Sequence, residues 1–209
     1  MEPIKKVTGR AVPIDRQNVD TDSIVPARFL KRIERTGWGE VLFNDLRYTA
    51  DDKPDPSFVL NQPGYENAKV MIVGRNFGTG SSREHAVWAI AQYGIRAIIG
   101  SSFADIFHKN CFEVGVVPVH LPEDKVQQLM RAAKEGSLGD VTVDLEKCEV
   151  TDGAGFREKF VIHNDPETHE FRRETLLNGW DEIALTLKEA DVITAFEEKR
   201  PKYLDPIRG

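Results

Sequence analysis

An α/β fold built around a parallel sheet is predicted by three observations. Residues 70–74, 96–100 and 116–119 are apolar runs too short for helices. Between them, residues 84–93 and 102–114 repeat their apolar positions with helical spacing, and each segment is stopped by a glycine, Gly94 or Gly115. The chain has 209 residues, 40% of them hydrophobic, enough to cover such a sheet on both faces.

Taken in order, residues 9–14 read as a strand that runs into the acidic turn Asp20-Thr21-Asp22, followed by Ile24, Val25 and Pro26. Residues 50–65 carry Pro54, Pro56, Pro63 and Gly64 and read as a loop excursion within one domain. Residues 69–119 give β-α-β-α-β, whose crossovers are right-handed and whose functional loops lie at the carboxyl ends of the strands. The 75–83 loop is at such an end. Residues 123–134 read as a helix, and 141–145 and 160–162 as strands. Residues 167–178, 181–187 and 191–199 read as helices before Pro201. The whole of residues 1–209 is therefore expected to be a single domain, with a core at about 9–145 and a helical C-terminal extension at about 165–201. Charged and apolar positions alternate along that extension, which suits a solvated cover or a partner-facing one.

Composition removes several function classes. A formal net charge of −6 argues against a general polyanion surface, so no nucleic-acid partner is expected. Residues 1–10 mix charges with scattered apolar positions, and no apolar run reaches the length of a signal core or a membrane span. The two cysteines, Cys111 and Cys148, follow neither a CxxC nor a Cys/His spacing, so neither a disulfide framework nor a metal site is expected in this chain. A reduced, cytoplasmic setting fits them.

The stretch most informative about chemistry is Gly74-Arg75-Asn76-Phe77-Gly78-Thr79-Gly80-Ser81-Ser82-Arg83-Glu84-His85-Ala86. Gly78 and Gly80 permit a tight turn with positive φ, and Ser81 and Ser82 fall at the expected cap of the next helix. Amides at a helix start favour an anion, and the planar Arg83 guanidinium suits a carboxylate. The segment lacks the Gly-Lys-Ser/Thr ending of a P-loop and the third glycine of the dinucleotide fingerprint, so a nucleotide is disfavoured. Simple helix capping by one serine is the competing reading. His85, one turn into the helix, reads as a structural hydrogen-bonding residue.

Gly78-Thr79-Gly80-Ser81-Ser82-Arg83-Glu84-His85-Ala86 resembles the signature of the aconitase superfamily's swivelling domain. Ser101-Ser102-Phe103-Ala104-Asp105-Ile106-Phe107 resembles the family's Ser-Phe-Ala segment, and Asp20-Thr21-Asp22-Ser23-Ile24-Val25-Pro26 the Asp-Thr-Asp-x-Ile-x-Pro of its small subunits. The length, residues 58–63 and the tail at 176–201 are similar to the longer bacterial isopropylmalate dehydratase small subunits.

The resemblance implies a swivelling β/β/α domain and a hydro-lyase that interconverts 2-isopropylmalate and 3-isopropylmalate in leucine biosynthesis. It implies Ser81 as the catalytic base, with Ser82 and Arg83 holding a substrate carboxylate on the anion loop of Gly78 and Gly80. Thr21 and Asp22 would lie at the lip of the same cleft, where an Asx-turn is the structural alternative. Arg28, Phe29 and Leu30, with Lys31 and Arg32, fall in the family's specificity segment; one amphipathic helical turn is the alternative for them. The [4Fe–4S] cluster of the family needs three cysteine thiolates, so it is expected on a separate large subunit, with which this chain forms a heterodimer or higher assembly. Thr79, Cys111 and Val114 depart from common family choices. They leave open another 2-hydroxy diacid, of citramalate, dimethylmalate or homocitrate type; a carboxylate-sensing module without catalysis is the non-enzyme alternative.

Overall fold

The computed structural model describes residues 1–81 and 83–199, of Glu182 the backbone alone. Ser82 and Pro201 fall outside the described residues. The chain forms two compact units, Met1–Gly179 and a second from Trp180 onward.

In the first unit the parallel sheet has the order β2-β3-β4-β5, with β2 at Ala11–Ile14, β3 at Val70–Val73, β4 at Ala97–Gly100 and β5 at Val117–His120. All three pairings are parallel; Val12 is opposite Met71, Met71 opposite Ile98, and Ile98 opposite Pro118. Both faces of the sheet are buried. Side chains alternate across a strand, so Met71 and Val73 enter one core cluster while Val70 and Ile72 enter the other. This is why β3 is a continuous apolar run rather than an alternating one.

One face is covered by α3 (Glu84–Tyr93), through Ala86, Val87 and Ile90, and by Phe107 and Cys111 of α4 (Asp105–Val114). The other is covered by α5 (Glu123–Lys134), through Val126, Leu129, Met130 and Ala133. Helix α3 ends at Gly94 and α4 at Gly115, with φ of 116° and 82°, left-handed conformations that a residue with a Cβ adopts at a cost.

A second, antiparallel sheet has the order β1-β6-β7-β8: Lys6–Gly9, Val141–Asp144, Glu149–Thr151 and Arg157–Lys159. Two sequence expectations change here. The single strand expected at 9–14 is split: β1 pairs antiparallel with β6, and after Arg10 the chain continues as β2 in the other sheet. The strand expected at 160–162 is only a bridge between Val161 and His120, whose backbones exchange hydrogen bonds, while Phe160 and Ile162 are buried. The regular strand lies just before it, in β8. Its residues Arg157, Glu158 and Lys159 carry no apolar signal, and Glu149 of β7 faces Arg157 at 2.6 Å and Lys159 at 3.6 Å. Charge on an edge strand discourages further pairing.

Helix α4 begins at Asp105 rather than at 102. Phe77 donates its amide to Ser102 and accepts that of Ala104, so 102–104 are extended beside the 75–83 loop. Helix α6 (Pro166–Asn178) starts at Asp165, whose carboxylate accepts the Thr168 amide, and has Pro166 in its first turn. It belongs to the first unit: Leu176 is buried and its carbonyl accepts the Ile4 amide at 2.9 Å. In the second unit, α7 (Glu182–Lys188), capped by Asp181, is followed by α8 (Ala190–Lys199). No helix among the described residues is long and apolar enough to cross a membrane.

Candidate active site

The 74–83 loop leaves the carboxyl end of β3 and is fastened on both sides. On one side it runs along residues 18–21: Asn18 donates its amide to Arg75 at 2.9 Å, Gly78 to Val19 at 2.8 Å and Thr21 to Thr79 at 2.8 Å. Asn76 and Asn18 both have left-handed backbones, with φ of 57° and 54°, and their side-chain amides meet at 2.8 Å. On the other side Phe77 bridges to Phe103 and packs edge-on against Phe107, with ring centroids 5.3 Å apart.

The glycines have distinct uses. Gly78 has φ of 81°, and a Cβ built there would lie 2.2 Å from Cγ of Phe107. Gly80 has φ of 93° and lets the chain pass over Thr21, whose Oγ1 would be 3.5 Å from a Cβ. Gly78→Ala therefore meets both backbone strain and a ring that has no room to retreat. It is expected to destabilise the fold by about 3 kcal/mol, read as a lowered urea midpoint with an unchanged slope.

This fastening gathers Thr21, Asp22, Ser81 and Arg83. Thr21 is 2% exposed and donates its hydroxyl to the Ser81 carbonyl at 3.0 Å. The Asp22 carboxylate accepts a charge-assisted hydrogen bond from Nη1 of Arg83, whose side chain is 14% exposed. Ser81 is exposed, and among the described residues its hydroxyl has no hydrogen-bond partner.

Two local readings are corrected. The expected cap at the serines is not formed by Ser81: the N-cap of α3 is Arg83, with no side-chain cap bond. The Asx-type contact of the acidic turn is made by Asp20, whose carboxylate accepts the Ser23 amide at 2.6 Å and caps α1 (Thr21–Ile24). Asp22 is thereby left to Arg83. Asp22 offsets the Arg83 charge, so what is left to favour an anion is the positive end of α3 and the guanidinium donors that Asp22 does not occupy.

The segment expected to set specificity forms a 3-10 turn at Ala27–Lys31. Of its cations, Arg28 is occupied: it is bound by the Asp45 carboxylate and, at 2.6 Å, by Oδ1 of Asn44, both on α2 (Asn44–Arg47). Phe29 has the guanidinium groups of Arg28 and Arg32 at 4.7 and 5.0 Å from its ring centre, and Phe29 and Leu30 pack against the core. Among the described residues none of the three hydrogen-bonds to the 78–83 loop. His85 sits between Trp38 and Trp88, at 4.6 and 4.8 Å between ring centres, and braces α3 against residues 34–38.

Residues to which the sequence assigned no role also support the loop. Asn18 and Asn76 left only the turn preference of asparagine as a signal. Ser102 donates nothing to the motif chemistry, yet its Oγ accepts the Asn76 amide at 2.9 Å. Beside it lies a cavity of about 420 Å³ lined by Ser101, Ser102, His108, His120, His163 and Asn164 among others. Burial, then the neighbouring His108, pulls His120 down from its ordinary 6.5 to about 4, and burial lowers His108 as well.

The folded chain therefore refuses a proton that the unfolded chain binds between about pH 6.5 and 4, and stability falls as pH drops through that window. The loss attributable to His120 reaches at most about 3 kcal/mol. Denaturant midpoints at pH 7.5 and 5 should differ more for the wild-type chain than for His120→Phe.

Among the described residues no group of three or more His, Cys, Asp or Glu is arranged to hold a metal ion. Cys111 is buried in the core, which pushes its thiol pKa far up, and burial raises that of Cys148 also. The chain therefore does not fit an iron–sulfur cluster, which needs three thiolates.

Comparison with known proteins gives this geometry its context. The family model for the aconitase C-terminal domain matches residues 1–124, and that for the C-terminal domain of the 3-isopropylmalate dehydratase small subunit matches residues 182–202. A 3-isopropylmalate dehydratase small subunit of Paramagnetospirillum magneticum is 50% identical over 96% of this chain and 96% of its own. One of Bacillus subtilis is 50% identical over 98% of this chain and 99% of its own. The crystal structure of a 3-isopropylmalate dehydratase (LeuD) from Methanocaldococcus jannaschii superposes with a TM-score of 0.64 at 26% identity, covering 92% of this chain and 99% of that one. With these matches spanning nearly its full length, the chain belongs to the family of 3-isopropylmalate dehydratase small subunits, built on the aconitase C-terminal domain.

Proposed function

We propose that this chain is the half of a 3-isopropylmalate dehydratase that supplies the proton-transferring residue and the carboxylate anchor. The observation that carries this is the exposed Ser81 hydroxyl, without a partner among the described residues, on a loop pinned by Thr21 beside Arg83 at the start of α3. In the reaction a C–H bond next to a carboxylate and a C–OH bond on the adjacent carbon are broken, leaving an alkene and water. Water then returns with the positions of H and OH exchanged.

Ser81 takes the proton and gives it back. Serine is a weak base in water, and its alkoxide is favoured only where fixed positive charge and excluded solvent stabilise it. On this chain that positive potential comes from the α3 N-terminus and from the Arg83 donors that Asp22 does not occupy, and closure against the partner removes the solvent. Arg83 anchors a substrate carboxylate, with Asp22 orienting the guanidinium and Ser82 assigned to the same carboxylate through the sequence motif. Phe29 and Leu30 are the apolar residues assigned to face the isopropyl group.

The partner is a large subunit, and to it we assign the [4Fe–4S] cluster that the family's dehydration chemistry requires and this chain's two cysteines do not fit. The assembly works in the cytoplasm, where both cysteines remain free thiols. Mixing the purified chain anaerobically with a cluster-bearing large subunit and 2-isopropylmalate should produce alkene absorbance that neither chain produces alone. Absence of turnover in the reconstituted mixture, or turnover only with a different 2-hydroxy diacid, overturns this assignment.

A further inference from the structure

We propose that α7 and α8 form a docking surface for the large subunit; this rests on the function proposed above. The second unit exposes large apolar side chains that a solvated helical cover would not carry. Ile183 and Leu187 of α7 are 70% and 65% exposed, and Val192 and Phe196 of α8 are 64% and 70% exposed. Each pair is spaced i, i+4, so each helix gathers its two side chains on one face. Two helices of 7 and 10 residues cannot bury enough apolar surface to account for such a composition by themselves. Large apolar side chains left exposed together on a helix face mark an interaction site.

Two observations select the occupant. First, the aconitase C-terminal domain model ends at residue 124, whereas residues 182–202 match a model specific to small subunits. This segment is thus the part of the chain described by the small-subunit family rather than by the shared domain, as expected of a device that holds a separate chain in place. Second, the exposed charges of this segment are mostly acidic: among the described residues Asp181, Glu189, Asp191, Glu197 and Glu198 stand against Lys188 and Lys199. Pairing with a second copy would bring like charges together in a chain of net charge −6. The fitting partner surface is an apolar groove with a basic rim.

The test titrates the large subunit with the full-length chain and follows turnover. The combined variant Ile183→Ser, Leu187→Ser, Val192→Ser and Phe196→Ser is expected to need at least tenfold more chain for half-maximal activity, with the plateau rate unchanged. Glu197→Lys with Glu198→Lys, both exposed, is expected to raise the half-saturating concentration at low salt and to lose that effect at high salt. Half-saturation equal to wild type in both variants overturns the proposal. So does a shift of the isolated chain from dimer to monomer on serine substitution with assembly unaffected, which assigns the face to a second copy. A fall in the isolated chain's thermal midpoint with assembly unaffected overturns it as well, since the face would then be covered within the chain. If the wild-type chain neither binds the large subunit in sedimentation nor supports turnover, the proposed function itself fails; Ser81→Ala binding normally without turnover separates docking from chemistry.

Discussion

Replacing Ser81 by alanine is expected to lower kcat of the assembled enzyme by about a thousandfold, with little change in half-saturation by substrate, because on the role proposed for it the substitution removes the proton-transferring group and almost nothing else. The hydroxyl is exposed and has no partner among the described residues, so its loss leaves no buried polar group unpaired. The contact that positions the residue runs through its carbonyl, to which Thr21 donates, and that contact survives the substitution. The competing role, helix capping, makes an opposite forecast: about 1 kcal/mol of lost stability and unaltered chemistry. Arg83 as the N-cap of α3 already weighs against it. Steady-state kinetics on the reconstituted enzyme, paired with a thermal melt of the isolated chain, separate the two. Turnover within a few-fold of wild type would remove Ser81 from the chemistry.

The sequence announced the parts of this molecule whose causes are local. Helix α3 was legible to the residue because its apolar period and the glycine that stops it lie in one short window. Three of the four strands of the parallel sheet were legible because burial on both faces leaves uninterrupted apolar runs. The β7–β8 hairpin was not, because strands of three residues with one buried position between them carry too short a pattern, and their charges read as loop.

The site divides in the same way. Gly78, Gly80 and Arg83 are legible because they stand in one contiguous motif. The partners that hold them are not: Asn18 reaches Asn76 across 58 positions and Asp22 reaches Arg83 across 61. Arg28 shows the limit most clearly. Nothing in its neighbourhood foretells that Asn44 and Asp45 will occupy its guanidinium, yet that contact decides whether its charge faces a substrate or a helix.

Arg83→Lys is expected to reduce kcat/KM by about a hundredfold even though charge is conserved. One terminal nitrogen of the guanidinium is held by Asp22, and the planar group presents its remaining donors in a fixed direction. Lysine offers a single rotatable ammonium that cannot hold Asp22 and grip a carboxylate in parallel. Losing one charge-assisted hydrogen bond of this kind costs about 1.5–3 kcal/mol, which spans tenfold to somewhat over a hundredfold. Asp22→Asn leaves the arginine in place but loosens it, and its expected penalty is about tenfold. If Asp22 acts by orienting Arg83, the two substitutions are not additive: Asp22→Asn costs little once Arg83 is already lysine. A purely structural ion pair gives a different pattern, in which Arg83→Lys preserves kcat/KM within a few-fold and the two penalties appear in the thermal midpoint instead. The double-mutant cycle on kcat/KM, with the melt as its companion, therefore tells an anchor for substrate from a strut between the 18–22 turn and the 74–83 loop.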